Sequence, residues 1–394
     1  MTWGLVAGAL GFVAIATLVP GAQGTGGGGM PFWCLTCGDY ALADAVANVA
    51  LFVPLGWALS RARVPSLVAL AVLVTTTLTI ELLQYTLVPG RDASLADILT
   101  NSVGGVTGMA LPGLQGRIAA SGRRAMRVAT LYGVLLVAGL GVGEGAQAVP
   151  QPRTLRWTEG STHGYVPFTG SLRALQVDGA PVPLRQWLNV PPRNAAEITV
   201  DLLSARPGTG LAQIIVAWMP TGDGWIWLEQ QERDLRVHVA SASDRLRLRG
   251  HSTWLGAIMP ALAGEPVTIR LLVRPFSYRI AVETKAGTLV RHEAITPGDG
   301  WRLFSPFERA GEPWASLLTG AWMAVLLAPL GYLGSVQSRA TAVVAAVGAG
   351  LSLLLLPLVS GCAWLPLAGW CGAVSGFLVG VAGSSASVTS VRPR

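Results

Sequence analysis

Seven side chains between positions 44 and 101 could do chemistry in an otherwise apolar stretch: Asp44, Asn48, Glu81, Gln84, Arg91, Asp97 and Asn101. Asp44 and Asn48 are four residues apart, Glu81 stands three and four before Gln84 and Tyr85, and Asp97 and Asn101 are again four apart. That spacing puts each group on one face of a helix. Carboxylates and amides so aligned suit two kinds of work. They can grip a polar headgroup or relay protons, or they can simply hydrogen-bond one helix to the next. A charged carboxylate at the centre of a bilayer costs at least about 2.5 kcal/mol on insertion scales, so such stripes face a partner helix or a wet cavity. Arg91, in the loop VPGRDAS, is the expected counter-charge.

The elements that must position these groups are the apolar segments 43–61, 66–88 and 95–111. An apolar run of about 20 residues crosses a bilayer as a helix, and in lipid only a helix or a closed barrel satisfies its own backbone. Within them GGVTG (104–108) permits close helix approach, and Pro54 is expected to end or kink its helix.

Asn48, LFVPLG (51–56), Glu81 with Gln84, Arg91, Asp97, Asn101 and the glycines at 104, 105 and 108 together resemble the signature of VanZ-like membrane proteins. The resemblance covers about 39–112. The family takes its name from a glycopeptide (teicoplanin) resistance protein. The resemblance implies an integral protein of the cell envelope and brings no catalytic residues with it.

The rest of the chain agrees with a membrane protein. Apolar residues make up 51 % and charged residues only 12 %, against about 25 % charged in soluble proteins. The net charge of +7 does not point to nucleic acid. Arginines 61, 63, 117, 123, 124, 127, 339, 392 and 394 fall in short loops between apolar segments and in the tail, with no acid among them, which is the positive-inside pattern. Residues 3–20 read as a retained first helix, although a cleaved signal would also fit. With 128–147, 315–333, 340–359 and 364–383 added, the expectation is a polytopic α-helical bundle of eight spans in the cytoplasmic (inner) membrane, both termini inside. The bilayer is the expected partner.

Between 149 and 313 the chain carries 18 Lys or Arg and 15 Asp or Glu, and no run long enough to span. This defines three parts: a membrane domain at 1–148, an exoplasmic insert at 149–313 and a C-terminal three-helix segment at 314–394. Alternation in EITVDLL (197–203), DLRVHVAS (234–241), RLRLRG (245–250), VTIRLLV (267–273) and SYRIAVET (277–284) predicts about ten strands in an antiparallel sandwich. The hairpins of 195–310 weakly resemble the concanavalin A-like or laminin-G-like jelly roll, which implies carbohydrate binding.

Trp225 and Trp227, two apart on a strand, are expected to share a face and, with Arg249 and Trp254, to form a sugar-stacking platform; core packing of the same rings is the competing expectation. Glu229 and Glu232 fall on opposite sides of that strand, with Glu232 and Asp234 on one side, which is not a glycosidase arrangement. No nucleophile elbow, zinc-protease or nucleotide-binding motif occurs in context, so no enzyme, metal or cofactor is assigned. Cys34 and Cys37 (CLTC) lie in a glycine-rich loop and are expected to form a structural disulfide. An envelope glycan or lipid-linked precursor is the expected ligand. Finally, LFVPLGWALSRAR (51–63) and LLAPLGYLGSVQSR (326–339) share PLG, an aromatic residue and basic loop residues, which suggests that the C-terminal helices are a degenerate copy of those at 43–111, without its acids.

Overall fold

The computed structural model describes residues 2–18, 32–88, 93–160, 165–191, 194–305 and 312–389. Its long helices are α1 (Thr2–Leu18), α2 (Ala41–Arg61), α3 (Ser66–Leu87), α4 (Leu95–Ala119), α5 (Gly122–Gln147), α7 (Glu312–Gln337), α8 (Arg339–Ser360) and α9 (Leu367–Thr389), with a single turn, α6 (Ala242–Arg245), between strands. Six of the described helices, all but α1, α4 and α6, are long and apolar enough to cross a membrane. α1 and α4 belong to the eight expected spans but miss that measure. α1 has 17 residues, and α4 spends its length on Asp97, Thr100, Asn101, Ser102 and five glycines. Pro54 does not end its helix: α2 runs through it to Arg61.

The chain divides into two compact units, one of Met1–Tyr132, Leu330–Val343 and Gly380–Arg394, the other of Gly133–Pro329 and Val344–Val379. In the first, α2 and α4 pack backbone to backbone. A Cβ on Gly104 would strike the carbonyl of Val49, one on Gly56 the carbonyl of Gly105, and one on Gly108 the carbonyl of Val53. Only glycine lets helices approach this closely, the usual means of helix association where lipid is as apolar as leucine. Phe52, Leu55, Leu59 and Leu73 fill the remaining space.

In the second unit two sheets form a sandwich. One contains β1 (Thr154–Glu159), β2 (Val166–Pro167), β5 (Trp187–Asn189), β7 (Ala212–Trp218), β8 (Gly224–Gln231), β9 (Asp234–Val239) and β10 (His251–Leu255) in the order β10-β9-β8-β7-β1-β5, with β2 beside β7. The other contains β3 (Ser171–Val177), β4 (Ala180–Pro181), β6 (Ala196–Leu203), β11 (Pro266–Arg274), β12 (Ser277–Thr284) and β13 (Gly287–Ala294) in the order β13-β12-β11-β6-β3-β4. All pairs are antiparallel except β2 with β7. The period of two puts Ile198, Val200 and Leu202 of β6, Ile269 and Leu271 of β11 and Leu235, Val237 and Val239 of β9 into one core, each buried side chain contributing about 1.5–3 kcal/mol.

RLRLRG is not a strand. Ser241 and Asp244 form a capping box that starts α6, and Arg247 then turns with φ +55°, so the next strand begins only at His251. The local hydrogen bonds of Ser and Asp defeat the alternation.

Candidate functional site: two polar assemblies

The start of α4 gathers the membrane acids. An ordinary capping box would fold the Asp97 carboxylate back onto the N–H of Ser94. Here Ser94 N–H donates instead to Glu81 Oε2 of α3 at 2.9 Å, while the Ser94 hydroxyl accepts from Asp97 N–H at 3.1 Å. The Asp97 carboxylate accepts from Asn48 Nδ2 of α2 at 2.6 Å. Leu95 N–H donates to the carbonyl of Phe32, beside the Cys34–Cys37 disulfide. The N–H of Ser94 at the helix start thus meets the Glu81 carboxylate, and the negative charge of Glu81 and Asp97 suits the positive end of the helix dipole. Further along α4, Asn101 Nδ2 donates to Thr77 Oγ1 at 2.9 Å, and near the end of α3 Gln84 Nε2 donates to the carbonyl of Thr17 in α1 at 3.0 Å.

Glu81, Gln84, Asn48, Asp97 and Asn101 are therefore brought together, each bonded to another helix or to the α3–α4 connection. Asp44 is exposed, and Arg91 lies outside the described residues. Ser94 was not anticipated, although Ser-x-x-Asp before an apolar run is a legible helix start. One buried acceptor, Asn101 Oδ1, has no hydrogen-bond partner.

The second assembly covers the outer face of the first sheet. Register sets its side chains in rows. One runs Thr158, Val216, Trp227, His238, Ser252 from β1 to β10; the next runs Gln213, Glu229, Arg236, Trp254 from β7 to β10. Arg156 lies between Trp187 of β5 and Trp218 of β7. Glu229 Oε2 accepts from Arg236 Nη1 at 3.0 Å, Arg236 Nη2 donates to Ser252 Oγ at 3.1 Å, and the guanidinium lies 5.6 Å from the Trp254 ring centre. His238 Nδ1 is 2.9 Å from Ser252 Oγ, and its Nε2 is 3.4 Å from Asp244 Oδ1. Trp227 packs on the same imidazole, ring centres 4.6 Å apart. Burial alone would push the Asp244 carboxyl up, but the hydrogen bond with His238, together with the N–H of Ser241, holds it below the usual carboxylate range.

Trp225 is not on this face. A register shift pairs Ala217 with Ile226 but Trp218 with Gly224, which leaves Trp225 as the extra residue of a β-bulge. It turns into the core, 1 % exposed, with its indole N–H on the carbonyl of Pro150. A bulge breaks the period of two, so Trp225 and Trp227 part company. Trp254 stands two strands from Trp227, and Arg249 precedes β10, its N–H on the carbonyl of Leu303. Glu232 is on the tip of the β8–β9 hairpin, with φ +52°, and shares no strand face with Asp234. Among the described residues no three His, Cys, Asp or Glu gather as metal ligands would.

Residues 13–114 match the family model described as VanZ/LLP1. That stretch is VanZ-like. It contains α2, α3 and the polar start of α4, and with the apolar helices it makes the chain a multi-pass membrane protein. No curated protein and no solved structure matches the chain. The sandwich rests on its own strand pairing.

Proposed function

We propose that this VanZ-like protein sits in the cytoplasmic membrane, presents its sandwich on the exoplasmic side and binds an envelope glycan, free or as a lipid-linked precursor, on the outer face of the first sheet. The observation that carries this reading is the composition of that face. Trp187, Trp218, Trp227 and Trp254 run across it beside Arg156, with Glu229, Arg236 and His238 buried among them as a fixed polar row. Sugar rings offer flat C–H faces that indoles stack on and a fringe of hydroxyls that need ordered donors and acceptors. The side of the membrane follows from the arginines of the short loops. Sequestration of a glycan precursor would also connect the protein with glycopeptide resistance.

The membrane cluster is then a clasp, because its described polar groups close on one another. The unpartnered Asn101 Oδ1 favours a second reading, a headgroup or ion site in the bundle that makes the chain a membrane-embedded enzyme or transporter.

The test is binding of the full-length protein in lipid nanodiscs to arrayed envelope polysaccharides and lipid-linked precursors. Trp227→Ala and Trp254→Ala are each expected to weaken binding at least about tenfold, the loss of one aromatic anchor. A folded protein that binds none of them overturns the glycan reading.

A further inference from the structure

We propose that Ser252, His238 and Asp244 form the nucleophile, general base and orienting acid of an acyl-transfer site on the outer face of the first sheet. Ser252 and His238 are direct cross-strand partners on β10 and β9, and Asp244 comes from α6 in the connection between the same two strands. One β-α-β excursion of 15 residues, from His238 to Ser252, supplies all three.

The neighbours select the imidazole tautomer that the chemistry needs. Arg236 can only donate, so Ser252 Oγ accepts from Nη2 at 3.1 Å and its own proton is free to point at His238 Nδ1, 2.9 Å away. Asp244, held ionised, can only accept, so Nε2 carries the ring proton toward Oδ1 at 3.4 Å. Both constraints leave Nδ1 as the free base facing the serine. The ring is used in the opposite sense to the usual hydrolase triad, but such sites are recognised by roles and geometry.

The ring is also fixed from its faces. Trp227 packs on it, and a Cβ at Gly250 would come within 2.9 Å of His238 Cε1, so only glycine fits beside it. Asp244 Oδ2 is bound by the N–H of Ser241 at 2.7 Å, which holds the carboxylate in place. β10 is the edge strand, and Ser252 is half-buried while its neighbours His251 and Thr253 turn into the core.

In the reaction Ser252 Oγ attacks the carbonyl carbon of an ester. The new C–O bond forms as the hydroxyl proton passes to His238 Nδ1. The tetrahedral oxyanion lies beside the Arg236 guanidinium; on its collapse the ester C–O bond breaks, and the departing alcohol takes the proton back from Nδ1. Water repeats the steps, releases the carboxylic acid and restores Ser252. Glu229 balances the charge of Arg236 before substrate arrives. The substrate class is a small O-acyl ester of a sugar hydroxyl; that last element, the sugar, rests on the glycan reading above.

The test uses the full-length protein in detergent micelles with a fluorophosphonate probe and p-nitrophenyl acetate, neither of which contains sugar. Expected are a probe adduct on the Ser252 peptide and esterase activity that falls at least about 100-fold in Ser252→Ala and His238→Gln, the usual weight of general-base catalysis. Asp244→Asn should lower kcat with KM unchanged, which a merely structural role would not do. Ser252→Cys, checked for an unchanged unfolding temperature, should be alkylated on the peptide that carries residue 252, and adding His238→Gln should slow that labelling. A folded wild-type protein that takes no label at Ser252, or activity that survives Ser252→Ala, overturns the proposal. Failure here leaves glycan binding standing, and failure of the array leaves Ser252 as an esterase without a sugar substrate.

Discussion

Two helix triplets of this chain solve the same packing problem with different chemistry. In α2–α4 the carbonyl of Val49 lies against Gly104; in α7–α9 the carbonyl of Ala324 lies against Gly376, and that of Gly320 against Gly372. Val49 stands five residues before Pro54 and Ala324 five before Pro329, so the alignment suggested by the shared PLG brings the same position of the first helix against a glycine of the third. The difference is polar. α2–α4 adds Asn48, Glu81, Asp97 and Asn101, whereas 315–394 contains no acid, and its cross-helix bond between Ser335 and Ser384 is neutral. α7 and α9 thus meet through small residues without an acid, whereas α2–α4 adds carboxylates to the same kind of contact.

Gly104 and Gly376 are the feature that the two triplets share. Gly104→Leu and Gly376→Leu should both be severely destabilising, beyond the about 1–3 kcal/mol of ordinary overpacking, because the new side chain meets backbone and not a movable side chain. Thermal unfolding in detergent, or failure to accumulate in the membrane, measures this. If one glycine tolerates leucine, the two contacts are not equivalent.

A smaller effect is expected where the triplets differ. Glu81→Ala leaves the N–H of Ser94 without its acceptor and should cost about 1–3 kcal/mol, whereas Ser384→Ala should cost about 0.6 kcal/mol, the mean for a neutral bond between membrane helices. Equal unfolding midpoints for the two variants would remove the distinction between them.

The last contrast sets the helices against the sandwich. His251 is buried among core groups, and burial first, then the charge of Arg302, pushes its pKa down to about 3. The unfolded chain, with an ordinary histidine near 6.5, binds the extra proton first as pH falls. The stabilisation from neutral His251 is thus complete above about pH 6.5 and drains away down to about pH 3. Near-ultraviolet circular dichroism of the tryptophan-rich sandwich should be lost on acidification before the far-ultraviolet helix signal, and His251→Gln should flatten that pH response. Simultaneous loss of both signals, unaltered by the variant, would contradict it.

Composition and period carry the part of this protein that is legible along the chain. The apolar lengths mark membrane helices, Asn48, Glu81, Asp97 and Asn101 at helical spacing mark polar faces, and alternation marks β6, β9, β11 and β12. These are local properties, decided by how a residue's own neighbours repeat. Tertiary structure alone decided which faces meet. That Glu81 takes the N–H of Ser94 and so releases Asp97 to Asn48 needs three helices in register. That Trp225 turns into the core while Trp227 faces out depends on one extra residue of β8 opposite the Ala217–Trp218 step of β7. That Ser252 lies opposite His238 depends on the length of the turn and helix between them. Period two tells the side of a sheet on which a residue stands but never its partner on the next strand, because pairing is fixed by bulges, loop lengths and the burial of whole faces at once.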